Sequence, residues 1–299
     1  MKKIVLLGII LITTIAIGYF ATKRYHSLSQ ATDNSASKIK VVTSFYPLYF
    51  FASEIGGSFA KVTNITPLGV EPHEFEPTLR EIATIEQSQM LIINGEGFET
   101  WAEKITTNLQ KKSTRVVVAG QGFEQNDPHV WLSPVLAQKQ VEQILKGYIQ
   151  IDPQHRQEYE RNAQSLISKL NQLDQAFRQG LRSCQQHQFI TSHTAFGYLA
   201  SEYNLQQLAI AGLSPDAEPS SAQLAQIATV AQQNNVKYIF FETLVSSQLA
   251  QTIAAEVGAQ TLVLNPLEGL TQNEVESGEN YFSLMRENLD ALRVALHCT

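Results

Sequence analysis

The stretch PQHRQEYERNAQSLISKLNQLDQAFRQGLR, residues 153–182, predicts one long helix that sets the plan of this 299-residue chain. Its apolar residues recur at steps of three and four from Tyr159 to Phe177, which is the period of an α-helix. Asp152 offers an N-cap, and Pro153 suits the first helical turn. A helix of about 28 residues would span about 42 Å. We therefore expect a stiff helix that links two lobes.

Short apolar runs alternate with helical patterns on both sides of this stretch. Strands are predicted at 40–44, 62–65, 90–93 and 116–118, and again at 189–191, 207–210, 236–241 and 262–264. Such alternation is typical of a mostly parallel sheet covered by helices. We predict an α/β fold with an N-terminal lobe at 39–152, a linking helix at 153–183 and a C-terminal lobe at 184–299. Each lobe would contain a four-stranded sheet.

The chain opens with an uncharged, mainly apolar stretch at residues 4–21, which basic residues flank on both sides. As a helix it would span about 27 Å, close to the roughly 30 Å of a bilayer core. We predict a signal peptide or an N-terminal membrane anchor at 1–26, followed by a flexible polar tether at 27–38. The folded body would then lie in the periplasm or at the outer face of the cytoplasmic membrane.

Composition narrows the choice of partners. The formal net charge is −6, from 22 basic and 28 acidic residues, which gives no electrostatic reason to expect nucleic acid and suits attraction of a cation.

The two cysteines, Cys184 and Cys298, can form a disulfide in an oxidising compartment. Two buried free thiols are the alternative.

Three histidines follow predicted strands and lie in loops that limit their conformational freedom. His73 and His129 each come directly after a proline, and His193 follows the predicted strand at 189–191. Ligands gather at the carboxyl ends of parallel strands, and imidazole is the commonest protein ligand for Zn²⁺. We predict that the three imidazoles converge on one transition-metal ion. Solvated imidazoles in ordinary strand-end turns are the alternative.

A tetrahedral site needs a fourth ligand. Glu242, at the end of the predicted strand 236–241, could supply a carboxylate as the fourth ligand. A water molecule could fill the fourth position instead. Asn265 ends the strand at 262–264, but an amide oxygen is a weak zinc ligand, so we expect it beside the ligands or as a weak contact. Three imidazoles favour zinc, copper or nickel over manganese, and Zn²⁺ is the best candidate.

Four segments carry a family resemblance when they are taken in order. They read GVEPHEFEP at 69–77, DPHVWLSP at 127–134, SHTAFGYL at 192–199 and GLSPDAEPS at 212–220. Residues 39–299 resemble the zinc/manganese solute-binding proteins of ABC importers, the ZnuA/TroA-like family, and most of all its high-affinity zinc-uptake members. The resemblance implies two lobes joined by one rigid helix, with metal bound in the cleft.

The same resemblance implies metal ligands at His73, His129 and His193, with an acidic group at the place of Asn265, where this chain departs from the pattern. It implies a carrier rather than an enzyme. The carrier would be a monomer, associated with the membrane through its N-terminal segment, that delivers Zn²⁺ to an ABC permease and its ATPase. Family members for manganese tend to place a carboxylate where His193 stands.

Three other functions stay open at this point. One is a manganese-binding member of the same family, and another is a surface metal buffer or adhesin. The third is an exported zinc hydrolase, in which three histidines and a water would form a catalytic site with Glu242 as general base. The sequence lacks the short-spaced His-Glu-x-x-His motif of many such hydrolases.

Overall fold

The computed structural model describes residues 38–109, 114–123, 127–215 and 219–299. Within it, Ile39–Thr299 forms one compact unit. The predicted signal peptide or anchor at 1–26 lies outside the described residues, and so does the predicted tether up to residue 37. None of the helices in the described part of the chain combines the length and the apolar character that a membrane span requires.

The first half of the compact unit is built on a parallel sheet of four strands, which are β1 Ile39–Thr43, β2 Ala60–Asn64, β3 Met90–Ile93 and β4 Arg115–Val118. They lie in the order β2-β1-β3-β4. The helices of this half are α1 Tyr46–Gly56, α2 Leu79–Glu86, α3 Ala102–Leu109 and α4 Pro134–Ile151. Met90 and Ile92 of β3 enter one apolar cluster while Leu91 and Ile93 enter another. This alternation follows from the pleat and shows that the sheet is covered on both faces.

The linking helix α5 spans Arg156–Gly180, and the prediction of one long helix is confirmed. Its start differs from the prediction because the carboxylate of Asp152 accepts hydrogen bonds from His155 Nδ1 at 2.7 Å and from the Tyr159 hydroxyl at 2.6 Å. Pro153–His155 therefore forms a separate 3₁₀ turn. One face of α5 is buried along its whole length, at Tyr159, Ala163, Leu166, Leu170, Leu173 and Phe177.

The second half repeats the plan of the first. Its strands are β5 Gln188–Thr191, β6 Gln206–Ala209, β7 Tyr238–Phe241 and β8 Gln260–Val263, in the order β6-β5-β7-β8. All of its strand pairs are parallel. The helices of this half are α6 Gly197–Glu202, α7 Ser221–Gln233, α8 Gln248–Val257, α9 Gln272–Glu276 and α10 Tyr281–Ala295. The predicted α/β architecture of two parallel four-stranded sheets is confirmed.

One apolar core joins the two halves. It includes Phe51 and Trp131 from the first half, Phe177 from α5, and Phe240 and Tyr281 from the second. Burying each such side chain contributes roughly 1.5–3 kcal/mol. Since protein interiors are packed as densely as organic crystals, the two sheets cannot shift far without repacking this core.

A disulfide between Cys184 and Cys298 closes the second half on itself. The two cysteines also form an isolated antiparallel bridge, and the amide of Thr299 donates to the carbonyl of Ser183 at 3.2 Å. The bond joins residues 114 apart in sequence. All four strands of the second sheet therefore lie within one covalent ring.

Removing this bond should destabilise the protein by relaxing a constraint on the unfolded chain. For a ring of this size, the Cys184→Ser/Cys298→Ser variant should lose about 2–5 kcal/mol in its free energy of unfolding. Urea unfolding of oxidised wild type, reduced wild type and the variant measures this. Reduced wild type should match the variant, and equal urea midpoints for oxidised and reduced wild type would contradict the expectation.

Candidate metal centre

Four buried side chains converge between the two halves of the compact unit, namely His73, His129, His193 and Glu268, and their ligand atoms all lie within 4.8 Å of one another. Nε2 of His129 is 3.3 Å from Nε2 of His73 and 3.3 Å from Nε2 of His193. Oε1 of Glu268 lies 3.3, 3.3 and 3.4 Å from the Nε2 atoms of His73, His129 and His193. Four ligands about 2.0–2.1 Å from a tetrahedral zinc ion lie about 3.3 Å apart. Five of the six donor–donor distances thus match those of a zinc site.

Both sheets deliver ligands to this point from the carboxyl ends of their strands. His73 lies in the loop between β2 and α2, and His129 directly precedes the 3₁₀ turn Val130–Leu132. His193 comes two residues after β5, and Glu268 comes five residues after β8. Two members of the group therefore come from each half, so they meet only where the two halves are packed together.

Two carboxylates orient two of the imidazoles. Asp127 Oδ1 accepts from Nδ1 of His129 at 2.7 Å and from its backbone amide at 3.0 Å. Glu242 Oε2 lies 2.7 Å from Nδ1 of His193, while Oε1 accepts from the backbone amide of His193 at 3.1 Å. A neutral histidine that donates through Nδ1 has its lone pair on Nε2. When they are neutral, as metal binding requires, both rings therefore present an acceptor nitrogen to the centre.

Gly197 makes room for one of these orienting groups. A Cβ atom at residue 197 would lie 2.8 Å from Oδ2 of Asp127, and the other oxygen of that carboxylate is held by His129. The carboxylate could not move away without disturbing the imidazole. The first residue of α6, in the second half, is therefore matched to a group that orients a ligand from the first half.

His73 is the member of the group nearest to solvent. Its side chain is 9% exposed, against 0% for His129 and His193. Its ring packs edge-on against Phe98 with centroids 4.5 Å apart, and the carboxylate of Glu71 accepts from its backbone amide at 3.1 Å. A cavity of about 190 Å³ opens beside it, lined in part by His73, Glu74, Phe98 and Leu213. This is the side on which the centre approaches solvent.

The charged groups of the centre shift one another's pKa values. Burial alone would raise the pKa of Glu268, but the three imidazoles outweigh it and hold that pKa well below its ordinary value. Burial disfavours the imidazolium of His193, yet the charges of Glu242 and Glu268 raise its pKa to about 10. Burial likewise opposes a charged His129, while hydrogen bonds with Asp127 and Glu268 raise its pKa. Protonated imidazoles therefore supply positive charge beside the carboxylate of Glu268.

Comparison with known proteins now identifies the family. The profile described as ZnuA, zinc-uptake complex component A, periplasmic, matches residues 41–295. The chain belongs to the ZnuA family. It is 41% identical over 291 residues to the high-affinity zinc uptake system protein ZnuA of Bacillus subtilis, covering 90% of this chain and 91% of that relative.

Two further likenesses involve the zinc-binding lipoprotein AdcA of Streptococcus pneumoniae. This chain is 41% identical to AdcA over 277 residues, which is 86% of this chain but 55% of AdcA. The chain thus spans about half the length of AdcA. The crystal structure of the Zn(II)-bound ZnuA-like domain of AdcA superposes with a TM-score of 0.78 at 42% identity, covering 87% of this chain and 99% of that domain.

The structure brings together the three predicted histidines but not the other two predicted residues. The carboxylate of Glu242 is hydrogen-bonded to Nδ1 of His193, on the side of the ring away from the centre. The amide oxygen of Asn265 accepts from the backbone amide of Leu267 at 2.8 Å. Neither belongs to the group of four, in which Glu268 supplies the carboxylate. The pattern of strand ends predicts an acid directly after a strand, whereas Glu268 lies five residues beyond β8. Its signal was its place as the first acidic residue after that strand.

The raised pKa of His193 predicts how the stability of the metal-free ZnuA-family chain depends on pH. Because the folded-state pKa of about 10 exceeds the ordinary value of 6.5, the imidazolium stabilises the fold fully below about pH 6.5. That contribution is lost as the pH rises towards 10. The free energy of unfolding of the metal-free protein should therefore fall between about pH 6.5 and pH 10.

Urea unfolding of metal-free wild type and His193→Gln at pH 6, 8 and 9.5 measures this loss. Wild type should lose more stability than the variant across the series. A difference between the two proteins that stays constant with pH would contradict the assignment.

Proposed function

We propose that this chain captures Zn²⁺ between its two lobes, through His73, His129, His193 and Glu268, and delivers it to an ABC importer. The observation that carries the proposal is the set of five donor–donor distances of 3.3–3.4 Å among three imidazole nitrogens and one carboxylate oxygen. They match five of the six edges of a tetrahedron around zinc. The names of the relatives, a zinc uptake protein and a zinc-binding lipoprotein, support the same cargo.

The donor set favours zinc over manganese. Mn²⁺ prefers carboxylate, carbonyl and water oxygens, while imidazole suits zinc and its neighbours in the transition series. Three of the four donors here are imidazoles. Copper would bind such a set more tightly still, so the availability of metals outside the cytoplasm contributes to the choice of Zn²⁺.

The closed donor set supports a carrier rather than a hydrolase. Catalytic zinc sites have three protein ligands and keep a fourth position for water or substrate, whereas four side chains meet here. Glu242 would be the general base of a hydrolase, but its two carboxylate oxygens contact the backbone amide and Nδ1 of His193. Capture and release of the ion require no bond to be broken in a substrate.

The partners follow from this role. A protein that gathers Zn²⁺ outside the cytoplasm needs a permease to accept the ion and an ATPase to drive transport. We infer that the chain works as a monomer in the periplasm or at the outer face of the cytoplasmic membrane. Residues 1–26 would be the segment that exports it or holds it at the membrane.

Removing one ligand should weaken the capture of zinc. His193→Ala should weaken Zn²⁺ binding by at least about 100-fold, because one of four donors is lost, and Glu242→Gln, which keeps the donor but alters its orienting partner, by about 10–100-fold. Competition titration against a chromophoric chelator at pH 7.5 measures both. The same titration of wild type with Mn²⁺ should show weaker binding than the titration with Zn²⁺.

The exposed His187 offers a matched control, since His187→Ala removes an imidazole from the same lobe outside the proposed site. Its affinity for Zn²⁺ should equal that of wild type. An unchanged affinity in a folded His193→Ala protein would end the proposal.

A further inference from the structure

The segment that carries Glu268 to the centre contains a strained residue. Leu267 has a backbone φ of 57°, in the left-handed region that is unfavourable for an L-residue with a Cβ. Its side chain is fully buried, so it cannot relax into solvent. Such a conformation persists only where the surrounding contacts fix it. Those contacts therefore decide where Glu268 points.

Asn265 supplies the contact closest to the strained residue. Its side-chain oxygen accepts from the backbone amide of Leu267 at 2.8 Å, a local bond that closes the turn. Its side-chain nitrogen donates to Oε1 of Glu274 in α9 at 2.8 Å. Asn265 is 4% exposed, so an unmade bond here would be costly.

The backbone of Asn265 is held just as firmly. Its amide donates to Oδ1 of Asn288 at 2.8 Å, and its carbonyl accepts from Nδ2 of the same residue at 2.6 Å. Asn288 lies in α10 and is 2% exposed. The backbone N–H and C=O and the side-chain oxygen and nitrogen of Asn265 are thus all hydrogen-bonded, which fixes both ends of the turn that precedes Glu268.

The same segment is also tied to the other lobe. The indole of Trp131 donates to the carbonyl of Pro266 at 2.7 Å. Trp131 comes two residues after His129, and its own carbonyl accepts from the hydroxyl of Tyr281 at 2.6 Å. The turn before Glu268 is therefore held in a fixed position relative to the loop that carries His129.

We propose that Asn265 is a positioning residue that holds Glu268 on the metal, an inference that rests on the proposed role of Glu268 as a ligand. An asparagine fits because it accepts from Leu267 and donates to Glu274. An aspartate could not donate, and it would place two carboxylates about 2.8 Å apart. The family resemblance leads one to expect an acid at residue 265; here the carboxylate lies three residues further on, and the amide at 265 directs it.

A double-mutant cycle on the full chain tests this role. Asn265→Ala should weaken Zn²⁺ binding by about 10–100-fold, as the loss of a group that orients a ligand commonly does. In a Glu268→Ala background, where no carboxylate remains to be positioned, Asn265→Ala should change the affinity by less than about threefold. Cobalt(II) absorption should lose its tetrahedral intensity in Asn265→Ala, as it should in Glu268→Ala.

Two further variants keep the test decisive. Glu274→Ala removes the acceptor of the Asn265 side chain from a partly exposed helix, so it should fold, and it should weaken binding by a smaller factor that also vanishes in the Glu268→Ala background. Asn235 is an exposed asparagine of the same lobe with a φ of 52°, and Asn235→Ala is the matched control, with unchanged affinity.

The outcomes separate the two proposals. If Asn265→Ala weakens binding equally in both backgrounds, or not at all, Asn265 does not act through Glu268 and the inference is overturned. If Asn265→Ala does not fold, Glu274→Ala decides in the same way. If Glu268→Ala alone binds Zn²⁺ as wild type does, the proposed ligand set itself is wrong.

Discussion

The structure depends on holding three imidazole nitrogens and one carboxylate oxygen within 4.8 Å of one another, where little water reaches them. Burial is unfavourable for every one of these groups in its charged form, and their mutual contacts compensate for it. The three imidazoles hold the pKa of Glu268 well below its ordinary value, and the charges of Glu242 and Glu268 raise the pKa of His193 to about 10. The packing and hydrogen bonds of the fold therefore place the four donors around one point.

The shared core maintains this arrangement across the boundary between the lobes. Each lobe contributes two of the four groups, so a small rotation of one sheet against the other would separate them. The helix α5 and the apolar core around Trp131 and Tyr281 resist such a rotation, because it would require repacking. Trp131 also bonds the carbonyl of Pro266, so packing and ligand geometry are linked at one residue. This rigidity fits a protein that selects an ion by the spacing of its donors.

Much of this could be predicted from the sequence, since it depends on local patterns. The helical period of α5 and the alternation of strands and helices predict the fold. The placement of three histidines in loops after strands predicts that they converge. Glu268 could not be found in that way. Its position depends on a positive φ at Leu267 and on bonds from Asn288 and Trp131, which lie far away in sequence. The disulfide likewise depends on where two distant chain segments meet, which spacing alone does not reveal.

The most direct test is a crystal structure of the zinc-loaded protein with anomalous diffraction measured at the zinc edge. The account predicts one strong anomalous peak, about 2.0–2.1 Å from Nε2 of each of the three histidines and from one oxygen of Glu268. Glu242 should still bond Nδ1 of His193. A peak elsewhere, or a zinc ion bound by the three histidines and a water with Glu268 turned away, would contradict it.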